Sequence, residues 1–256
     1  MKTVQGWLHD ILSRYAPDAA GYLMCLFQMA YLNLKAAEIG TPIPHVLIVL
    51  ENTFVITRGT AHQDPLLVGA TSLLHDIWPG TKRRKGDEGG SPAEEARALE
   101  QMRMDYRKEH MREGARVARE MMAAVNDYYG RPVFSAETGR GVSDAIEVHD
   151  LPSIDVPLPV GFAREFRQAD RLAMLSAEGG FAIDMARDHQ LVANAGVPDA
   201  ELARRRVAHV LKRFVEEREL YTEADGPFFG GMFFTNRAAY NLCLQLQEAR
   251  REEYGV

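Results

Sequence analysis

The chain of 256 residues predicts an all-α fold in a single helical domain covering 1–256. Three observations carry that prediction. Apolar residues recur at three- and four-residue spacing through most of the chain, the period of an amphipathic helix. These runs open on starts such as Asp64-Pro65 and Ser91-Pro92-Ala93-Glu94, and close on stops such as Gly130-Arg131-Pro132. Strand signals are few, the clearest being the aromatic, Gly-flanked run from Phe228 to Phe234. Hydrophobic residues at 46% and charged residues at 26% are ordinary for globular proteins and exclude disordered and fibrous classes.

Taken in order, a short amphipathic segment around Trp7, Ile11 and Leu12 comes first. Pro17 and Asp18 then suit the first turn of a helix running to about Ile39, with Leu23, Leu26, Phe27, Ala30 and Leu34 as its core stripe and Gly40 and Pro42 as its stop. Pro44 opens the run His45–Asn52, read as helix although its β-branched content also fits a strand. Asp64-Pro65 starts a helix whose Leu66, Leu67, Ala70, Leu73 and Leu74 lead to His75-Asp76, with Pro79-Gly80 as terminator. A loop rich in Lys, Arg and Gly follows from Thr81. Helix is expected from Ser91-Pro92 through about Tyr106 and on, or again, through His110, Val117, Met121 and Val125. Shorter helices are expected at Gly141–His149 and about Val160–Ser176, with a Pro-rich loop from Pro152 to Pro159 between them. Further helices are expected near Phe181–Arg187, Asp199–Glu219 and Thr235–Glu253.

A formal net charge of −6 argues against a dominant nucleic-acid surface, which would be basic. No stretch reaches the ~20 apolar residues of a membrane span, and Met1–Trp7 lacks the apolar core of a secretory signal. A cytoplasmic protein without nucleic-acid or membrane partners is therefore expected. Cys25 and Cys243, flanked by apolar residues and far apart, fit buried free thiols better than a disulfide.

The chemistry-bearing residues sit at element ends. His45 opens one helix and the doublet His75-Asp76 closes a later one, so an antiparallel pair would bring them together. Asp170, in Arg167-Gln168-Ala169-Asp170-Arg171-Leu172, is a carboxylate on a half-apolar helix and needs a partner. Imidazole and carboxylate together suit Mn, Fe, Co, Ni and Zn, and a catalytic ion needs only three or four protein donors.

This pattern resembles the HD superfamily of metal-dependent phosphohydrolases: His45, then Leu73-Leu74-His75-Asp76-Ile77, then Ala169-Asp170-Arg171-Leu172. The likeness covers about 45–179 and continues more weakly through Thr235-Asn236-Arg237-Ala238-Ala239-Tyr240. It implies a helical bundle with a metal-binding core at about 45–176 and with His45, His75, Asp76 and Asp170 as ligands of a divalent ion (Mn, Fe, Ni, Co, Mg or Zn), His75 and Asp76 being central to catalysis. Glu109-His110-Met111-Arg112-Glu113-Gly114-Ala115 and Ala145-Ile146-Glu147-Val148-His149-Asp150 are similar to segments of the binuclear branches, in which the doublet Asp bridges two ions and these histidines hold the second. One ion or two stays open at this point.

The resemblance implies hydrolysis of a nucleotide or other small phosphate ester by metal-activated water. Lys82, Arg83, Arg84 and Lys85 beside the doublet, and Arg164 and Arg167 before Asp170, are candidates to contact the anionic phosphate. Asp150 or Glu113 are candidates to assist proton transfer. Two alternatives are a binuclear iron oxygenase acting on a small molecule and a non-catalytic nucleotide-binding regulatory module. A homo-oligomer is compatible with the sequence, with the aromatic, Gly-rich Pro227–Phe234 as an interface or a lid. His9, His62, His189 and His209 match no motif and are expected at the surface or in ordinary packing, and the methionines from Met102 to Met122 are expected to fill the core.

Overall fold

The computed structural model describes residues 3–37, 43–78, 92–150, 161–176, 194–206, 208, 228–229, 232–234 and 236–255. It is all-α, with one small hairpin. The helices are α1 (Val4–Tyr15), α2 (Ala20–Ala37), α3 (Ile43–Thr57), α4 (Pro65–Leu74), α5 (Pro92–Tyr129), α6 (Ala136–Ile146), α7 (Phe162–Ala173) and a C-terminal helix (Arg237–Tyr254). A helical stretch at 199–206 precedes the hairpin, in which Phe228–Phe229 pairs antiparallel with Met232–Phe233. None of the described helices is long and apolar enough to cross a membrane.

Local chemistry accounts for most boundaries. Thr3 caps α1 by accepting from the Gly6 amide at 3.1 Å, Asp64 caps α4 by accepting from Leu66 at 2.9 Å, and Asn236 caps the C-terminal helix by accepting from Ala239 at 3.0 Å. Several expected boundaries shift. Pro17 opens a 3-10 turn, Pro17–Ala19, and α2 begins only at Ala20, because the proline-led turn makes its bond three residues back. The segment from Pro92 is one helix of 38 residues, about 57 Å long. Helix α6 begins five residues before Gly141, where the Ser135 hydroxyl accepts from the Thr138 amide at 3.0 Å. The glycine that suggested a boundary lies inside it: a Cβ on Gly141 would stand 2.9 Å from Leu67 Cδ1, so glycine lets α6 approach α4. Helix α7 is shorter than Val160–Ser176 by a turn's worth of residues, and α4 ends at Leu74 with His75 as its C-cap. The expected helix at Phe181–Arg187, the loops at Thr81–Pro92 and Pro152–Pro159 up to their flanking elements, and the stop at Pro79-Gly80 lie outside the described residues.

Helix α3 is the axis of the domain. It is buried along almost its whole length and packs most extensively on α7 and α4, with α1 and the C-terminal helix also against it. A helix that is apolar all round must be wrapped on every side. The main core runs from Leu8 and Leu12 through Leu23, Phe27, Leu47, Leu50, Leu73 and Ala118 to Ile146 and Phe166. Met111 and Met122 are buried, as expected of core filling. A smaller cluster of Ile56, Ala169, Leu172, Ala239 and Cys243 seats the C-terminal helix. Cys243 is buried and Cys25 partly so, both as free thiols, and burial pushes the Cys243 thiol up.

Candidate metal centre

Two polar locks align the helices that carry the site. Inside the α3–α4 contact, Ser72 Oγ donates to Thr53 Oγ1 at 3.2 Å, and Thr53 Oγ1 donates in turn to the Val49 carbonyl at 2.6 Å. Between α3 and α7, buried Asn52 donates from Nδ2 to the Ala169 carbonyl at 3.2 Å. The first lock holds the later half of α3 against the end of α4, and the second holds α7 at Ala169, next to Asp170, against the same part of α3. His45 and His75 rings then lie with centroids 5.5 Å apart, and His45 Nε2 stands 3.0 Å from Asp170 Oδ1.

The orientation of the imidazoles follows from their outer nitrogens. His75 Nδ1 lies 2.8 Å from the Ser72 carbonyl, His149 Nδ1 lies 2.7 Å from the Ile146 carbonyl, and His110 Nδ1 bonds the Trp78 carbonyl. A carbonyl only accepts, so Nδ1 carries the proton in all three rings and Nε2 is left to point inward. This is the arrangement that presents a histidine to a metal and fixes its tautomer. His75 Nε2 shows its consequence: it is buried, has no hydrogen-bond partner among the described residues, and stands 3.0 Å from Asp76 Oδ2 and 3.7 Å from Asp170 Oδ1. A nitrogen lone pair facing carboxylate oxygens is repulsive unless a cation, proton or metal, lies between them.

Asp76 stands between two sets of donors. Its Oδ2 is 3.0 Å from His75 Nε2 and 3.8 Å from His45 Nε2, while its Oδ1 is 3.0 Å from His110 Nε2 and 3.8 Å from His149 Nε2. Two groups could each hold an ion: His45, His75 and Asp170, and Asp76, His110 and His149, the donor atoms of each group lying within 4.8 Å of one another. Thus all six histidine and aspartate candidates from the sequence converge, His110 and His149 included. The first group draws on α3, the end of α4 and α7, the second on the turn after α4, on α5 and on the turn that follows α6.

The charges are strongly coupled. Burial by itself would raise the Asp76 carboxyl, but the charge of His75 and the adjoining His110 and His149 hold it well below the ordinary carboxylate range. Burial opposes ionisation of Asp170 too, yet His45 and the neighbouring histidines lower it to about 2. For His149, burial acts against the imidazolium, and the carboxylate of Asp76 outweighs it and raises the group to about 9. Without metal, protons do the work of balancing these carboxylates.

The surroundings differ from the sequence expectation in several places. Arg167 is only 1% exposed, so any anion it meets must enter the interior; burial, with Arg171 adding to it, lowers its pKa. Arg164 is half-buried on the same helix, and Lys82, Arg83, Arg84 and Lys85 lie outside the described residues. Asp150 pairs with Arg107 at 3.3 Å, and Glu113 with Arg112 and Arg116 at 3.1 and 2.9 Å. Phe166, which no motif singled out, walls the site with its ring centroid 5.5 Å from that of His75 and 6.2 Å from that of His149. Its position four residues before Asp170, on the same helical face, was the available signal. His62, assigned to surface or ordinary packing, has a specific partner in buried Glu165, Nδ1 to Oε2 3.0 Å, away from the metal-competent group. His189 and His209 lie outside the described residues. No family model, curated protein or solved structure matches this chain.

Proposed function

We propose that this protein is a metal-dependent phosphohydrolase of the HD type with a two-ion centre, acting on a nucleotide or another small phosphate ester. The observation that carries the reading is the division of Asp76, with one carboxylate oxygen toward His45 and His75 and the other toward His110 and His149. In this reading His45, His75, Asp170 and Asp76 hold one divalent ion, and Asp76, His110 and His149 hold the second. The second set would offer three protein donors against the first set's four. Bound ions of this kind lower the pKa of water, from ~15.7 in bulk to ~7 in the best zinc case, and polarise a phosphoryl oxygen. The chain's own part is to fix the donors through the Nδ1 bonds, to exclude water with Phe166, and to balance anionic charge through Arg167 and Arg164.

A second reading follows from the same pair of histidines. With His110 and His149 both in the cluster, the centre suits two irons and oxygen-dependent oxidation of a small molecule. The experiment that tests the proposal and separates the two is anaerobic purification with metal analysis, followed by a panel of nucleotides and phosphate esters with Mn, for wild type and Asp76→Ala. Phosphate release by the wild type, lost by about 100-fold or more in the variant, supports hydrolysis. A mixed-valent iron pair without phosphatase activity supports oxidation. Equal turnover by both proteins refutes the metal assignment.

A further inference from the structure

The donors of the two groups balance the charge of one divalent ion but not of two. Among the described residues the groups contain four histidines and two carboxylates, Asp76 and Asp170. A histidine binds a metal as neutral imidazole, and the Nδ1 bonds of His75, His110 and His149 to carbonyls hold these rings in the form that does so. The donors therefore carry two negative charges, one from each carboxylate. A first divalent ion is neutralised by them. A second leaves two positive charges without a counter-charge among these donors.

The described surroundings do not make up the difference. The acids on adjoining turns are matched elsewhere: Asp150 pairs with Arg107 at 3.3 Å, Glu147 with Arg119 at 3.8 Å, Glu113 with Arg112 and Arg116, and Glu165 with His62. Arg167, one turn before Asp170 and buried, brings a further cation. Bulk counter-ions offer little, because His45, His75, Asp76, His110 and His149 are all buried and buried charge is screened far less than exposed charge. The deficit falls on one side of the centre. The first group has Asp170 as a carboxylate of its own, whereas the second has only Asp76, whose other oxygen faces His45 and His75.

We propose that the second ion and a dianionic phosphoryl group bind as one unit, each strengthening the other, so that the substrate is a phosphate monoester rather than a diester. This rests on the two-ion reading above. A monoester carries a charge of about −1.5 to −2 at pH 7 and cancels the surplus. A diester carries one negative charge and leaves half of it. Because such coupling is reciprocal, the factor by which phosphate tightens the second ion is the factor by which that ion tightens phosphate.

The test is calorimetric titration of the metal-free full chain with Mn(II) near neutral pH, alone, with inorganic phosphate, and with dimethyl phosphate, a monoanionic diester. Phosphate is expected to tighten the second binding step about tenfold or more while changing the first by less than about twofold. Dimethyl phosphate should tighten the second step much less. With His110 and His149 both replaced by alanine, the one remaining step should not respond to phosphate, which separates the effect from complexation of Mn(II) by phosphate in solution. A second step that is the same with and without phosphate, or that dimethyl phosphate tightens as much as phosphate does, would overturn the proposal and leave the two-ion reading standing. A single step under all three conditions would overturn both.

Discussion

Replacing Asp76 by asparagine in the metal-free protein isolates the charge coupling that holds the site together. His149 is 2% exposed, and the Asp76 carboxylate raises it from an ordinary 6.5 to about 9 against the opposing effect of burial. At about 1.4 kcal/mol per pH unit that displacement corresponds to about 3 kcal/mol of folding stability. Because the folded-state value lies above the unfolded one, the contribution is fully present below pH 6.5 and is lost as pH rises through about 9. Asp76 and Asp170, held below their ordinary 3.8, contribute above that value and lose it only in acid, so they are level across this window. In Asp76→Asn the largest of the raising interactions is gone, leaving only Asp170 and Asp150 to oppose the effect of burial on His149. Urea denaturation of both proteins, in chelator and at a series of pH values, should show the wild-type advantage shrinking by about 3 kcal/mol between pH 6 and 10. An advantage that stays constant across that range would refute the coupling. A bound divalent ion displaces the same protons, so metal affinity should rise with pH through the same window.

Three further outcomes are expected. Asn52→Ala removes the only bond drawn from α3 to the Ala169 carbonyl among the described side chains, and should cost about 1–3 kcal/mol in chemical denaturation while weakening metal binding through the displacement of Asp170. Phe166→Ala opens a fully buried position against two imidazoles, and should cost about 3–5 kcal/mol and broaden the His75 and His149 resonances in NMR spectra. Arg107→Ala breaks a half-exposed pair that ties α5 to the turn bearing His149, and should weaken binding of the second ion by no more than about fivefold in a two-step titration, leaving the first unchanged.

The helices were legible because their apolar periodicity and their caps agree, as at Asp64-Pro65 and Asn236. Boundaries failed where a local signal was read alone. Gly141 looks like an end, yet it lies inside α6 because a neighbouring leucine needs the space. His45, the His75-Asp76 doublet and Asp170 are legible because imidazole and carboxylate in an apolar helical context stand out, whereas His110, inside α5, and His149 come only through the resemblance to the binuclear branches. What no spacing supplies is their division into two groups around Asp76, which depends on how α3, α5, α7 and the turn after α6 meet in space. Nor does the sequence give the burial of Arg167, which as a basic residue one turn from Asp170 reads equally well as a surface contact. Phe166 carries no sequence signal of its own, because an aromatic residue on an amphipathic helix is ordinarily core, and here it is both core and site wall.

The most direct test of the two-ion centre is the metal stoichiometry of anaerobically prepared, metal-free protein titrated with Mn(II) or Fe(II). The geometry predicts two ions per chain for the wild type, one when His110 and His149 are both replaced by alanine, and none held tightly by Asp76→Ala. No binding by the wild type, or two ions still bound without Asp76, would contradict it.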